Sequence, residues 1–120
     1  MKGRSSKWQV RLGSDAGRDL VRILRRTRET FGLRQADVYA GTLRAALTAL
    51  EDGPYIAGNK ARDDIRPGFR TLHVARNRRR GRHFVLYRAD GGVIEVLRIL
   101  HDAMDLARHV PKESGGDDAE

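Results

Sequence analysis

The chain has 120 residues, with 24 Lys and Arg against 16 Asp and Glu, a formal net charge of +8 and no cysteine. That length suits one domain with a single hydrophobic core, and the lack of Cys excludes a disulfide scaffold, a thiolate zinc site and a cysteine nucleophile. No apolar run approaches the ~18 residues that would span a membrane, and the basic start leads into Ser-Ser-Lys-Trp rather than an apolar signal stretch, so a cytoplasmic domain without membrane contact is expected.

Residues 1–7 read as a flexible leader, and 8–110 as one domain. Trp8 to Leu12 alternates apolar and polar residues with the period of a half-buried strand. Gly13-Ser14 interrupts it, and Ser14 or Asp15 is expected to cap the helix that follows. Ala16, Leu20, Ile23, Leu24, Thr27 and Phe31 then share one helical face, with Arg18, Arg22, Arg25, Arg26 and Glu29 elsewhere; Gly32 is the expected stop.

A second helix carries Ala36, Tyr39, Leu43, Leu47 and Leu50 at helical spacing and ends at Glu51-Asp52-Gly53-Pro54. So short a joint predicts an antiparallel helical hairpin. Residues 53–68, with three Gly and two Pro, read as one long irregular connection. Three strands follow: Phe69 to Ala75, His83 to Arg88, and Val93 to Leu100. Ala89-Asp90-Gly91-Gly92 is a strong hairpin signal, because Gly supplies the positive φ of tight turns. The last strand is apolar on both faces except at Glu95 and Arg98, as a central strand would be. Asp102 is expected to cap a short helix, Ala103 to Arg108, with Asp105 in a capping-box-like position. Pro111 stops it, and 111–120 reads as a disordered acidic tail.

Segregated helices followed by hairpin-linked strands define an α+β class: an N-terminal strand, a helical hairpin packed on a mostly antiparallel four-stranded sheet, and a short C-terminal helix.

The charge is unevenly placed. Residues 1–110 carry 23 bases and 12 acids, or +11, and 20 of the 24 bases in the chain are Arg. Ile65 to Ala89 holds eight Arg and no acid, a docking surface for something acidic, with Arg76, Arg78, Arg79, Arg80 and Arg82 forming a basic hairpin. Only 7 residues are aromatic, which argues against a stacking platform for single strands.

Glycine-rich phosphate loops are absent, since Gly91-Gly92 joins two strands and not a strand to a helix. His73 and His83 are expected to face each other across their hairpin; two imidazoles without a carboxylate make a poor metal site, so neither metal nor cofactor is expected. His101 and Asp105 are spaced for a hydrogen-bonded pair, with helix capping the favoured role. Tyr87 reads as a sheet residue. Arg70, Arg88 and Arg98 lie within strands, where a charge is costly unless paired, which singles them out as functional candidates.

Three stretches carry a family resemblance: Arg70 with its strand, His83-Phe84-Val85-Leu86-Tyr87-Arg88, and Val96-Leu97-Arg98-Ile99-Leu100-His101-Asp102-Ala103-Met104-Asp105-Leu106-Ala107-Arg108-His109. Together they resemble the C-terminal half of ParE toxins, of the RelE/ParE superfamily of type II toxin–antitoxin systems. Asp19-Leu20, the Phe31-Gly32 to Gln35-Ala36 joint, Pro54, Gly58 and Pro67-Gly68-Phe69-Arg70 match in the same order, so that the resemblance covers roughly residues 8–110.

It implies a toxin neutralised by a ParD-like antitoxin in a hetero-oligomer, meeting nucleic acid only indirectly through that complex. ParE-type members poison DNA gyrase and RelE-type members cleave mRNA on the ribosome; the fold is shared and does not choose. The chain lacks a Lys-rich second helix and a terminal catalytic Tyr, and its last strand runs into a ParE-like Leu-His-x-x-Met-Asp, which ranks a non-enzymatic gyrase inhibitor first.

On that reading Arg70, Arg88, Arg98, His101, Asp105 and Arg108 bear toxicity and target binding. On the ribonuclease alternative Arg70, Arg88 and Arg98 would stabilise the phosphorane, with His101 as acid or base. A third possibility is a non-toxic nucleic-acid-binding module using the 76–82 hairpin. Replacing Arg98 or His101 by Ala is expected to reduce toxicity and leave antitoxin binding largely intact.

Overall fold

A few glycines set the joints of the chain. The computed structural model describes residues 7–104. They form β1 (Gln9–Leu12), α1 (Ser14–Phe31), α2 (Leu33–Ala49), a 3₁₀ turn (Leu50–Asp52), β2 (Asn59–Ala61), β3 (Arg70–His73), β4 (His83–Asp90) and β5 (Val93–His101). Gly32 alone joins the helices: at φ 97° it closes α1 through its N–H to the Arg28 carbonyl (2.9 Å) and offers its own carbonyl to Ala36 (3.1 Å). Gly91 and Gly92, at φ 58° and 82°, make the tight β4–β5 hairpin expected for this pair.

The sheet runs β1-β5-β4-β3-β2. β1 lies parallel to β5, and the other pairs are antiparallel. The fold is α+β as expected, with five strands in place of four. The added strand is β2, inside the stretch expected to be irregular; its Asn-Lys-Ala has no apolar alternation and is held by pairing to β3 at the sheet edge.

Helix α1 also departs from expectation at both ends. Gly13 is the N-cap and no side chain caps the helix; Asp15 bonds to Arg18 instead (2.6 Å). Phe31 lies beyond the sheet and is 69% exposed, whereas the acidic Asp19 is buried on the inner face with Ala16 and Ile23.

Both helices pack on one face of the sheet, where Leu43, Ala46 and Leu50 meet Leu72, Val85, Tyr87, Ile94, Val96 and Ile99. Truncating one of these large aliphatics costs about 2–5 kcal/mol. The other face carries a smaller core of Phe69, Leu86, Leu97 and Leu100, with Ile65 and Phe84 at its margin. A bulge lets β5 serve both. Tyr87 pairs with Val96 and Leu86 with Arg98, so Leu97 is an extra residue and the alternation shifts phase there. Ile99 thereby rejoins Ile94 and Val96 in the main core.

The described part of the expected C-terminal helix is a turn, closed by the Met104 N–H on the His101 carbonyl (3.0 Å). Asp105, Arg108, the tail 111–120 and leader residues 1–6 lie outside the described residues. Lys7, at the end of the expected leader, is anchored by an ion pair to Asp52 (2.8 Å). Among the described residues no helix is long and apolar enough to cross a membrane.

Candidate functional site

The strand arginines do not converge. Arg70 opposes Tyr87 in the ladder and is half-buried beside it, donating from Nε to Asn59 Oδ1 in β2 (2.7 Å), bonding the Tyr87 side chain and stacking 4.7 Å over the Tyr55 ring. Arg88 opposes Glu95 across the β4–β5 hairpin and pairs with it (2.9 Å). Arg98 turns under α1 to Asp19, with Nε–Oδ2 at 2.7 Å and Nη2–Oδ1 at 2.9 Å.

Asp19 has a second task. β1 runs alongside β5 only as far as Val96, whose carbonyl accepts the Gly13 N–H (2.9 Å). Beyond that point the Ile99 N–H has no strand to pair with, and it donates to Asp19 Oδ2 (2.9 Å). The carboxylate thus continues the ladder where the strand leaves off. Burial pushes the Asp19 carboxyl up, but hydrogen bonds from Arg98 and the Ile99 N–H, the charge of Arg98 and a bond from Arg22 outweigh it and hold it below the usual range.

Among the described candidates, His101 and Arg82 join a polar cluster at the far end of the sheet. His101 is the last residue of β5. It opposes His83 in the β4–β5 register, with ring centroids 5.3 Å apart in an edge-on arrangement. His83 Nδ1 lies 2.6 Å from the Tyr39 hydroxyl of α2. That hydroxyl also accepts the Arg82 N–H (3.2 Å), so Tyr39 bridges α2 to His83 and to the start of β4. Burial first, and then neighbouring His101, push the His83 imidazole down to about 4; the opposing pull of Asp102 is smaller.

Gly81 makes the Tyr39 contact possible, since a Cβ there would meet Val74 Cγ2 at 2.6 Å and the Tyr39 hydroxyl at 2.8 Å. The Tyr39 phenol is raised above its ordinary value, chiefly by burial.

Asp102 organises the rest, and here one expectation is corrected. The helix expected to follow it runs mostly outside the described residues; among the described residues its carboxylate does not bond a following N–H and reaches back to His73 Nε2 (2.9 Å) and Arg82 Nε (3.2 Å). The hydrogen bonds from His73 and then Arg82 hold its carboxyl down at about 2. Nor do His73 and His83 face each other across their hairpin, because His73 opposes Phe84 and bonds to Asp102, while His83 opposes His101. His73 and His101 both accept a backbone N–H at Nδ1, from Ala75 (3.0 Å) and Ala103 (3.1 Å), which places their ring protons on Nε2. The carboxylate nearest His101 in the described residues is Asp102, at 3.6 Å.

The basic turn between β3 and β4 forms a second feature. Asn77 and Arg78 both take positive φ, 51° and 69°. Arg76 bonds the Ala57 carbonyl (3.3 Å) and Arg79 reaches Thr42 of α2 (3.4 Å), while Arg78 and Arg80 point to solvent. Sequence reasoning missed Tyr39, His83 and Asp102 as partners of His101. The odd phase of β5 hid the His83–His101 pairing, and only the clustering of His near both strand ends hinted at it.

Together the helical hairpin on a five-stranded mixed sheet and the polar cluster at its end define a small α+β domain with both helices on one face. The family model for the ParE toxin of type II toxin–antitoxin systems matches residues 10–106. Toxin ParE1 of Mycobacterium tuberculosis is 36% identical over 85 residues, covering 70% of this chain and 79% of that protein. Toxin ParE3 of Caulobacter vibrioides is 31% identical over 96 residues, covering 80% and 88%. Among solved structures, the chromosomal ParDE system of P. aeruginosa superposes with a TM-score of 0.65 at 22% identity, over 78% of this chain and 95% of that one. The RelBE2 toxin–antitoxin complex of M. tuberculosis gives 0.53 at 24% identity, over 86% and 100%. The chain belongs to the ParE toxin family of type II toxin–antitoxin systems.

Proposed function

We propose that this ParE-family toxin acts in the cytoplasm by inhibiting DNA gyrase, catalyses no reaction itself, and is silenced by a cognate ParD-like antitoxin in a hetero-oligomer. The observation that carries the non-enzymatic part is the dispersal of the strand arginines. A ribonuclease of the alternative kind needs guanidinium groups aimed together at the developing charge on phosphorus. Here Arg70, Arg88 and Arg98 are committed to Asn59, Glu95 and Asp19 in three different directions. His101 is left with His83, Tyr39 and Asp102, a surface suited to recognition.

Family membership supports the gyrase target, both curated relatives being named ParE toxins. The antitoxin partner fits a body that is +11 over residues 1–110 and exposes Phe31, Leu33 and Val38 along its helical hairpin. An acidic segment would be steered by the charge and retained by the apolar side chains. The similar RelBE2 structure is itself a toxin–antitoxin complex.

The test is a gyrase supercoiling assay run beside a ribosome-programmed mRNA cleavage assay, each with and without a cognate ParD-like antitoxin. Supercoiling is expected to fall and to recover when the antitoxin is added. Intact supercoiling with cleaved mRNA would overturn the reading and move attention to His101 and His83.

A further inference from the structure

A shallow cavity of about 470 Å³ lies between α2 and the β3–β4 turn, away from the histidine cluster. Three arginines line it: Arg44 from α2, and Arg76 and Arg79 from the turn, which also carries Arg78 and Arg80. Among the described residues Arg44, Arg78 and Arg80 have no hydrogen bond or ion pair, and all three are exposed. Arg76 and Arg79 spend their side-chain bonds on neutral oxygens, at Ala57 and Thr42, so their charge is unneutralised too. The acids lining it are Asp52, paired with Lys7, and Glu51, which lies in the field of the same lysine.

The walls decide what such a groove can hold. Between the guanidinium groups they are small, mostly Gly41, Ala45, Ala46, Ala49 and Asn77, with Val74 buried beneath, and the exposed large apolar side chains lie elsewhere on the surface. A protein partner held for long needs apolar or aromatic anchors in pockets, and this groove offers none. A single-stranded nucleic acid needs exposed rings to stack on, and the groove is lined by none. Closely spaced arginines with small side chains between them match a regular row of phosphates, which carry one charge per ~1.7 Å of duplex axis.

We propose that the groove between α2 and the Arg76–Arg80 turn docks the phosphate backbone of double-stranded DNA, without reading its sequence. The choice of DNA over duplex RNA rests on the gyrase reading, which would bring the toxin to DNA; the phosphate contact rests on the groove alone. Double-stranded RNA recognition spans about two minor grooves across ~16 bp and engages 2′-hydroxyls, a wider and more hydrogen-bonding footprint than this groove presents.

The test measures fluorescence anisotropy of a labelled DNA duplex of about 24 bp with the purified chain, between about 50 and 200 mM salt, with no gyrase present. Arg78→Glu with Arg80→Glu is expected to weaken binding at least about tenfold, and the neutral pair Arg78→Gln with Arg80→Gln to lower the salt slope by about 2. The same charge change on α1, Arg25→Glu with Arg26→Glu, is expected to weaken it less than about threefold. Circular dichroism verifies that each variant is folded.

Equal loss from both charge-reversed pairs would make the effect one of net charge and overturn the site. Competition by duplex RNA or poly-glutamate as effective as that by DNA would overturn the assignment of the partner. Undetectable binding of the unaltered chain at the lowest salt would overturn the proposal outright. Because gyrase is absent, each of these results stands apart from the supercoiling assay.

Discussion

Asp19 in α1 and Arg98 in β5 lie 79 positions apart in sequence and meet through two hydrogen bonds, of 2.7 and 2.9 Å, with the carboxylate almost wholly buried. The pair joins the helical layer to the sheet at the point where β1 stops covering β5. Removing one partner strands a buried charge, which typically costs about 3–5 kcal/mol. Asp19→Ala is expected to lower unfolding stability by about that amount in urea, because the Ile99 N–H is orphaned as well. The double variant Asp19→Leu with Arg98→Leu should cost less than the sum of its single changes. A loss under about 1 kcal/mol for Asp19→Ala would show that the pair does not tie the layers together.

The same geometry separates two substitutions that the sequence treats alike. Arg98→Ala is expected to lose toxicity and antitoxin binding together, because the defect lies in the fold. His101→Ala, at a half-exposed ring whose Nδ1 accepts only the Ala103 N–H, is expected to keep its melting temperature within about 3 °C and still bind antitoxin while growth arrest weakens. Induced-expression growth curves paired with antitoxin pull-down check this. Undiminished growth arrest by His101→Ala would remove that residue from the target surface.

The neutral His83 gives the protein a defined acid sensitivity. Its folded value of about 4 lies below the unfolded 6.5, so between these values the unfolded chain binds more protons and stability falls as the pH drops. Complete linkage would amount to about 3 kcal/mol. The ring is half-buried, and solvent screening brings the expected loss to about 1–2 kcal/mol.

His83→Gln, whose amide can still bond the Tyr39 hydroxyl, should flatten urea midpoints recorded from pH 7 to 4.5. Asp102, held near 2, acts in a separate window. Its contribution is present above about 3.9 and disappears as the pH falls toward 2. An unchanged slope in His83→Gln would mean that another group carries the effect.

Tyr87 is fully buried and donates its hydroxyl to the Pro54 carbonyl at 2.7 Å, fastening the loop after α2 to the sheet. Burial, the main cause, raises its phenol to about 12, so it stays a donor across the working range. Tyr87→Phe is expected to cost about 1–2 kcal/mol by orphaning that carbonyl. Hydrogen exchange should quicken in residues 53–58 first, and a uniform change across the chain would contradict this local role.

Much of the fold was legible because its signals are local. Gly32 stops one helix and starts the next, Gly91-Gly92 dictates a hairpin, and Leu43 to Leu50 repeats at helical spacing, none of which needs distant partners. What escaped was non-local. β2 exists only because β3 offers an edge to three residues of no particular pattern. Asp19 reads as a polar interruption of an apolar face until Arg98 and the Ile99 N–H arrive from the other end of the chain. Asp102 reads as a helix cap by its spacing, and nothing local reveals that His73 and Arg82, 29 and 20 positions earlier, bond its oxygens. Arg70, Arg88 and Arg98 were rightly marked as charges needing partners; the sequence could not tell that those partners belong to the fold.

The extra residue at Leu97 also fixes the parity of β5. His101 shares the side of His83 and Tyr39 only because an odd step separates the two halves of the strand. Deleting Leu97 would remove the bulge and leave His101 opposite His83. Closing the bulge with Leu97 kept would instead pair Leu97 with Leu86 and turn every residue after it to the opposite side. His101 would then leave His83, and Asp102 would lose His73, with no change of sequence. NMR would register such a slip as loss of the His83–His101 ring contact. The polar cluster at the end of the sheet is thus set by counting, a bulge at the strand's middle deciding which side chains its tip presents.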